Sequence, residues 1–257
     1  MDVEFTRDGA VATIALNRPD KLNALTHDMP LVVADHVNAA NADPDLRVIV
    51  LTGKGRGFCS GADVSKMGHA DILATRRSLA DHHHKAILAI ANSPKPVIAA
   101  VRGHAVGVGF SLALACDLIV ASDTAKFSMI FKRIGVVPDG GGMFFLAQRM
   151  GVAQAKDLVY TARIVEAAEA QSLGIASRVV ADAKFEDETR KFAIELANSA
   201  PLALMMAKKM FQSLYIPTLE QHLEHEILAQ TQMVLSEDHK EGVRAFLEKR
   251  PPRFVGR

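Results

Sequence analysis

Three short segments that are apolar at nearly every position constrain the fold of this chain most strongly. They are residues 47–52 (RVIVLT), 96–101 (PVIAAV) and 117–121 (DLIVA). A strand that is apolar throughout is buried on both faces, which is typical of a parallel sheet covered by helices. A long helix predicted at 70–91 and a short apolar helix at 110–115 separate these strands. We therefore predict an α/β chain with a mostly parallel, buried sheet.

The two ends of the chain have a different pattern. Near the N-terminus, β-prone runs at 3–5 and 11–16 flank Asp8-Gly9, a pair that favours a hairpin turn. After Gly142 the pattern becomes helical, with one further strand predicted at 176–180. The helices predicted there are residues 143–150, 153–160, 185–198, 202–215 and 219–235. Their apolar stripes favour a role in a subunit interface as well as in the core.

Charge and hydropathy argue against several classes of function. The chain has 30 Lys and Arg residues against 29 Asp and Glu residues, and its formal net charge is +1. This balance gives no electrostatic case for a nucleic-acid partner. No apolar run approaches the roughly 20 residues that a membrane span needs, so we expect no membrane partner. The N-terminus lacks the basic and then apolar layout of a signal peptide, and we expect a cytoplasmic protein.

Cysteine and histidine spacing predicts neither a disulfide framework nor a metal site. Cys59 and Cys116 are the two cysteines, and they lack metal-ligand spacing. His82, His83 and His84 are adjacent in a predicted helix, where successive residues point about 100° apart and cannot share a face as joint ligands. We predict a solvated helix face for this run.

Two glycine-bearing loops follow buried strands, at residues 53–63 and 103–109. Glycine lets a backbone approach a ligand closely, and a helix that begins near Gly107 would direct unpaired N–H groups toward it. Two such loops side by side can place two amides on one oxygen, as in an oxyanion hole. The alternative is that both loops are ordinary turns. The second loop does not fit the dinucleotide fingerprint, which opens the first strand-turn-helix unit.

Several motifs in order resemble one family over nearly the whole chain. They are LNRPDKLNAL at 16–25, FCSGAD at 58–63, KPVIAAV at 95–101 with GHAVGVG at 103–109, IGVVPDGGG at 134–142, and KRPPRF at 249–254. The chain resembles the enoyl-CoA hydratase/isomerase, or crotonase, superfamily.

The resemblance implies a fold and an assembly. The expected fold is α/β, a crotonase-like spiral of ββα units with a C-terminal helical trimerisation region. We place the spiral core and the acyl-CoA site in residues 1–195 and the helical oligomerisation region in 196–257. A homotrimer or a hexamer is expected. The CoA thioester is the substrate, and no separate cofactor is expected.

The resemblance also assigns site residues. The thioester carbonyl is expected to accept hydrogen bonds from the Ala62 and Val108 N–H groups. The family usually has glycine where Val108 stands, so its isopropyl group is expected to narrow the pocket. Residues expected to contact the substrate or its CoA portion are Lys21, Ala24, Ser60, Asp63, Val64, His104, Phe131 and Pro138. For His104 the alternative is an ordinary loop histidine.

The reaction is inferred from the acids and bases at the family's positions. Hydratases of the family use two glutamates, and the matching residues here are Ser111 and Phe131. Neither replaces a carboxylate, and hydration needs a water held between an acid and a base. Asp139 has the spacing of isomerases in which one aspartate moves a proton from C2 to C4. We predict Asp139 as that base, with apolar neighbours such as Phe131 raising its pKa.

Other interpretations stay open from the sequence. Pro138-Asp139-Gly140 is a common turn sequence, in which the aspartate hydrogen-bonds its own backbone. If Asp139 serves only this turn, the chain is a hydratase with atypical acid and base groups, or a non-catalytic acyl-CoA-binding member of the family. A dehalogenase is disfavoured because the chain has no tryptophan. A ring-derived substrate from aromatic catabolism is left open beside a linear enoyl-CoA.

Overall fold

A mostly parallel sheet forms the centre of the computed structural model, which describes residues 1–63, 71–212 and 219–253. Its six strands in the described chain lie in the order β1-β2-β3-β4-β6-β9. They are β1 Val3–Asp8, β2 Val11–Leu16, β3 Val48–Gly53, β4 Val97–Val101, β6 Leu118–Ser122 and β9 Arg178–Val180. β1 and β2 form an antiparallel hairpin, and the other pairs are parallel. The predicted α/β class and buried parallel sheet are confirmed.

A small second sheet joins three strands of the described chain that the sequence pattern did not predict. They are β5 His104–Val106, β7 Lys126–Ser128 and β8 Val165–Glu166, in the order β5-β7-β8. Two isolated parallel bridges, Cys59 with Ala105 and Leu25 with Ala62, tie the first glycine loop to its neighbours. The Cys59–Ala105 bridge holds the two glycine loops next to each other.

Helices cover the sheet and build the C-terminal part. They are α1 Met29–Ala42, α2 Ile72–Ser78, α3 His84–Ala91, α4 Val108–Ala115, α5 Gly142–Met150, α6 Val152–Thr161, α7 Ala167–Ser172, α8 Phe185–Ala197, α9 Pro201–Gln212, α10 Leu219–Met233 and α11 Glu237–Leu247. A π-helical segment, Leu79–His83, joins α2 to α3. The predicted helix at 70–91 is therefore one path of three segments, and its first residue lies outside the described part.

The core lies on both faces of the sheet. On one face, α1, α3 and α4 pack over strand residues such as Ile49 and Ala99. On the other face, Phe185 and Phe192 of α8 pack against Val50 and its neighbours. The domain boundary predicted at residue 195 falls within α8, two residues before its end. The division into a core and an oligomerisation region stays a prediction.

The last two helices fold back over the same chain. His239 of α11 has its Nδ1 2.7 Å from the Ile134 carbonyl oxygen. Gly242 of α11 packs so closely that an added Cβ would lie 2.8 Å from the Ile134 backbone. Through these contacts α10 and α11 close one side of a cavity.

Among the helices of the described ranges, none has the length and apolar character that crossing a bilayer requires.

Candidate active site

A cavity of about 560 Å³ lies between α2, the two glycine loops and the C-terminal helices. Its walls are largely apolar, with polar groups from several elements converging on it. The residues that line the cavity, apolar and polar together, include Ala24, Ser60, Gly61, Ala62, Asp63, Thr75, Leu79, His83, Gly107, Val108, Ile130, Phe131, Val136, Asp139, Gln230, Val234 and Phe246. A mainly apolar cleft with a few convergent polar groups is typical of a small-molecule site.

The backbone of the two glycine loops meets at one wall of this cavity. Gly61 has φ +102° and Gly107 has φ +55°, conformations that glycine adopts without strain. A Cβ on Gly61 would lie 3.1 Å from the Val106 carbonyl oxygen, and one on Gly107 would lie 3.9 Å from the Gly61 Cα. A side chain at Gly61 would therefore crowd the second loop, whereas one at Gly107 would only reach ordinary contact with the first. The next residues along each loop, Ala62 and Val108, are thereby neighbours.

The Ala62 and Val108 N–H groups are both available to a ligand. Leu25 bonds to the residues on either side of Ala62, its N–H to the Gly61 carbonyl and its carbonyl to the Asp63 N–H, so the Ala62 amide points away from that bridge. Val108 is the first residue of α4, where an N–H has no partner within the helix. Neither amide donates to any residue in ranges 1–63, 71–212 and 219–253. Together with the positive end of the α4 dipole, they form a site for a developing negative charge on oxygen.

Asp139 is the buried acid of the cavity, with 8% of its surface exposed. Its Oδ2 accepts a hydrogen bond from Gln230 Nε2 at 3.4 Å, and its Oδ1 has no partner among the described residues. Burial, and secondarily the negative charge of Glu226, raises the pKa of Asp139 to about 8. The Gln230 hydrogen bond opposes this rise. Such a carboxyl exchanges protons near neutral pH, as a catalytic base must.

The loop after Asp139 requires glycine and a small neighbour. Gly140 and Gly141 have φ +63° and +74°. The Ser111 hydroxyl donates to the Asp139 carbonyl oxygen at 2.7 Å. A Cβ on Gly142 would lie 2.7 Å from that hydroxyl oxygen, so serine and glycine fit together here. These contacts fix the Asp139 backbone.

Behind this loop lies a second buried acid that the sequence pattern did not single out. Glu226 of α10 is 1% exposed, and its two carboxylate oxygens accept the Gly141 N–H at 2.9 and 3.1 Å. The Nε2 atoms of His222 and His84 lie 3.1 and 3.5 Å from the same carboxylate. Glu226 thus anchors the Asp139 loop and adds negative charge beside it.

The histidine run at 82–84 is not the solvated helix face that we predicted. His84 is 4% exposed and faces Glu226, and His83 lines the cavity. The reason is that α10 packs against this part of the chain and brings Glu226 to His84, a long-range contact that the local sequence pattern does not show.

The remaining predicted site residues divide into two groups. Ala24, Ser60, Asp63 and Phe131 line the cavity together with Ala62, Val108 and Asp139. The structure does not bring Lys21, Pro138 or His104 to the wall. Lys21 is exposed, and its carbonyl oxygen accepts the Ser60 hydroxyl at 3.3 Å. Pro138 is buried and is not among the residues that line the cavity.

His104 is the clearest departure from the predicted lining. It is exposed in β5, and its carbonyl oxygen accepts the Cys59 N–H at 2.8 Å. Its role is therefore to pair the glycine loop through its backbone, as the alternative of an ordinary loop histidine implied. Val64 lies outside the described residues.

The chain is similar to known proteins over nearly its whole length. The family model described as enoyl-CoA hydratase/isomerase matches residues 6–257. The chain belongs to the enoyl-CoA hydratase/isomerase family. A Rhodobacter capsulatus protein named "Probable enoyl-CoA hydratase" is 40% identical over 99% of this chain and 98% of its own length. The 1,2-epoxyphenylacetyl-CoA isomerase of Escherichia coli is 36% identical over 96% of this chain and 95% of its own length.

Solved structures of the family share the fold. The crystal structure of an enoyl-CoA hydratase from Mycobacterium avium subsp. paratuberculosis is 33% identical, with a TM-score of 0.89 and 99% of each chain covered. The predicted crotonase fold is thereby confirmed. Among these members of the enoyl-CoA hydratase/isomerase family, both hydratase and isomerase names occur, so the family alone does not select the reaction.

Proposed function

We propose that this family member is an enoyl-CoA isomerase that uses Asp139 as its single base. One observation carries the proposal: a buried, partly unpartnered carboxyl shares a cavity with two N–H groups that have no partner in the described chain. The amides suit a thioester oxygen, and the carboxyl suits the carbons next to it.

The proposed reaction shifts a double bond from C3 to C2 of the acyl chain. The Asp139 carboxylate takes a proton from C2, and the electrons move into the thioester as an enolate. The Ala62 and Val108 N–H groups stabilise the enolate oxygen. The protonated Asp139 then gives the proton to C4, which restores the carboxylate and yields the 2-enoyl thioester. Each oxyanion donor of this kind contributes about 3 kcal/mol to lowering the barrier.

Hydration is the second candidate function, because the relatives include proteins named as hydratases. At the two positions of the family's glutamates, this chain has Ser111 and Phe131. The Ser111 hydroxyl donates a hydrogen bond to the Asp139 carbonyl oxygen, and the apolar ring of Phe131 lines the cavity. Neither activates water as a carboxylate does, which supports isomerisation over hydration.

The wider site supports an acyl-CoA substrate and a subunit interface as further parts of the proposal. Ser60 and Asp63 stand on the cavity wall beside Lys21, where we place the CoA portion.

Leu202, Met206 and Met210 of α9 expose a large part of their apolar surface. They lie four residues apart along one helix face, which supports the proposed homotrimer or hexamer.

The deciding experiment measures absorbance of the conjugated enoyl thioester with two substrates. With 3-hexenoyl-CoA an isomerase increases the signal, and with crotonyl-CoA a hydratase decreases it. We expect the increase with the first and little change with the second. Asp139→Asn is expected to abolish the increase while hexanoyl-CoA binding stays within a few-fold of wild type. Turnover that is unchanged in Asp139→Asn would contradict the proposal, and binding without any turnover would indicate a non-catalytic acyl-CoA-binding protein.

A further inference from the structure

A cluster of two histidines and one aspartate lies beside the cavity, outside the groups that the proposed reaction uses. One ring nitrogen from each of His27 and His82 and one carboxylate oxygen of Asp28 lie within 4.8 Å of one another. The two imidazole rings are in contact, with their centroids 3.8 Å apart and their planes tilted by 42°. His27 also lines the cavity that holds Asp139. His82 is far from the other two residues in the sequence, so residue spacing could not predict this cluster.

Two of the three side chains have polar atoms that the described protein leaves unpaired. Asp28 is the N-cap residue of α1, where an aspartate usually accepts a backbone N–H, but its side chain makes no such bond. Nδ1 of His82 is buried and has no hydrogen-bond partner among the described residues. An unpaired buried polar atom is costly, and a native protein usually pairs it with protein, water or ligand. Both side chains are therefore available to a ligand.

The donor set indicates the class of this ligand. Imidazole nitrogens together with a carboxylate oxygen are typical ligands of zinc and other first-row transition ions, whereas magnesium and calcium take oxygen ligands. The positive end of the α1 dipole opposes a cation at this place, and the negative charge of Asp28 offsets that effect.

The geometry of the cluster fits such an ion after a small adjustment. With bonds of about 2.1 Å, the ligand atoms of a tetrahedral zinc ion lie roughly 3.4 Å apart. His27 and Asp28 are exposed, so their side chains are free to rotate toward His82 and close the site. Three protein ligands leave at least one coordination position open, as in catalytic zinc sites.

We propose that His27, Asp28 and His82 form a binding site for a divalent transition-metal ion, with zinc as the expected ion. The ion joins the start of α1 to the π-helical segment Leu79–His83, and it lies next to the cavity through His27. The site is independent of the proposed isomerase function, because none of its three residues takes part in the proton transfer.

Calorimetric titration of the full chain with zinc chloride tests the proposal. The protein carries no polyhistidine tag and is first freed of metal with a chelator. Wild type is expected to bind one zinc ion per chain with saturation, and magnesium chloride is expected to give no binding. His27→Gln and Asp28→Asn are each expected to weaken zinc binding at least about 10-fold, since loss of even an outer-shell partner of a metal ligand costs roughly that much. Because both residues are exposed, these variants are expected to fold.

His36→Gln and Asp35→Asn are the matched controls. Both residues belong to α1, and neither is part of the cluster. These substitutions remove the same chemical groups at other places on the surface, so zinc binding is expected to equal that of wild type. An equal loss in the controls and in His27→Gln and Asp28→Asn would mean that zinc binds surface groups at large and would overturn the site.

Thermal unfolding with and without zinc gives a second measurement. An ion that binds the folded chain better than the unfolded chain raises the melting temperature. Wild type and both controls are expected to show this rise, and His27→Gln and His82→Gln are expected to lose most of it. The absence of saturable zinc binding by wild type, or zinc affinity that is unchanged in His27→Gln and Asp28→Asn, would overturn the proposal. Neither result bears on the isomerisation of 3-hexenoyl-CoA, which is measured without added metal.

Discussion

Replacing Asp139 with asparagine should stabilise the protein, and more so as the pH rises. The pKa of Asp139 is about 8 in the folded protein, against 3.8 for an ordinary aspartate. Below pH 3.8 the carboxyl is protonated in both states and has no pH-dependent effect. Between 3.8 and 8 the unfolded chain ionises while the folded one keeps its proton, so the free energy of unfolding falls as the pH rises.

The size of the effect follows from these two values. At about 1.36 kcal/mol per pH unit, the interval from 3.8 to pH 7 corresponds to about 4 kcal/mol in the free energy of unfolding. Asparagine has no carboxyl to ionise, and its side-chain oxygen still accepts the Gln230 hydrogen bond. The stability of Asp139→Asn relative to wild type should therefore increase by about 4 kcal/mol between pH 4 and pH 7.

Urea unfolding at pH 4, 5.5, 7 and 8 measures this difference. All proteins are compared at one concentration, because association would make the apparent stability depend on concentration. Asp35 of α1 is exposed, so Asp35→Asn is a control for removing a charge without a buried site. A difference between Asp139→Asn and wild type that stays constant from pH 4 to 8 would refute the reasoning, because the carboxyl would then be solvated.

Three further predictions follow from the same site. The kcat/KM for 3-hexenoyl-CoA should rise with pH to a plateau above about 8, because the base must be ionised; a flat profile from pH 6 to 9 would argue against Asp139 as the base. Glu226→Gln keeps an acceptor for the loop amide but removes a charge that raises the pKa of Asp139, so the midpoint of that profile should move to lower pH; an unmoved midpoint would exclude this influence. Gly61→Ala places a Cβ 3.1 Å from a carbonyl oxygen and displaces the Ala62 amide, so kcat should fall about 10- to 100-fold in steady-state assays. Gly151→Ala is its control, because Gly151 has φ +80° against +102° for Gly61 and nothing lies within 4 Å of the added Cβ; an equal loss in both would contradict a local effect.

The sequence predicts the large elements of this fold because their signals are local. Residues 47–52 and 96–101 are apolar at nearly every position, and they become β3 and β4 within one residue at each end. β5, β7 and β8 were missed because strands of two or three residues have no measurable period. Their pairing depends on the loops that surround them, which no local pattern encodes.

The candidate site was predictable only where a motif carries it. Ala62, Val108 and Asp139 lie in motifs, and the structure brings them to one cavity. Glu226 and Gln230 were missed, since α10 meets the Asp139 loop across about 90 residues of chain. A signal was present, because these two polar residues lie on the buried face of α10 beside Ile227. Their partners are long-range contacts, which periodicity cannot supply.

The Asp139→Asn variant should hold its substrate unreacted, so a crystal structure of this variant with 3-hexenoyl-CoA tests the central claim most directly. We expect the thioester oxygen within about 3 Å of the Ala62 and Val108 nitrogen atoms. We also expect the residue 139 side chain in contact with C2 and C4 of the acyl chain. A thioester oxygen bound elsewhere, or a residue 139 side chain remote from both carbons, would contradict this account.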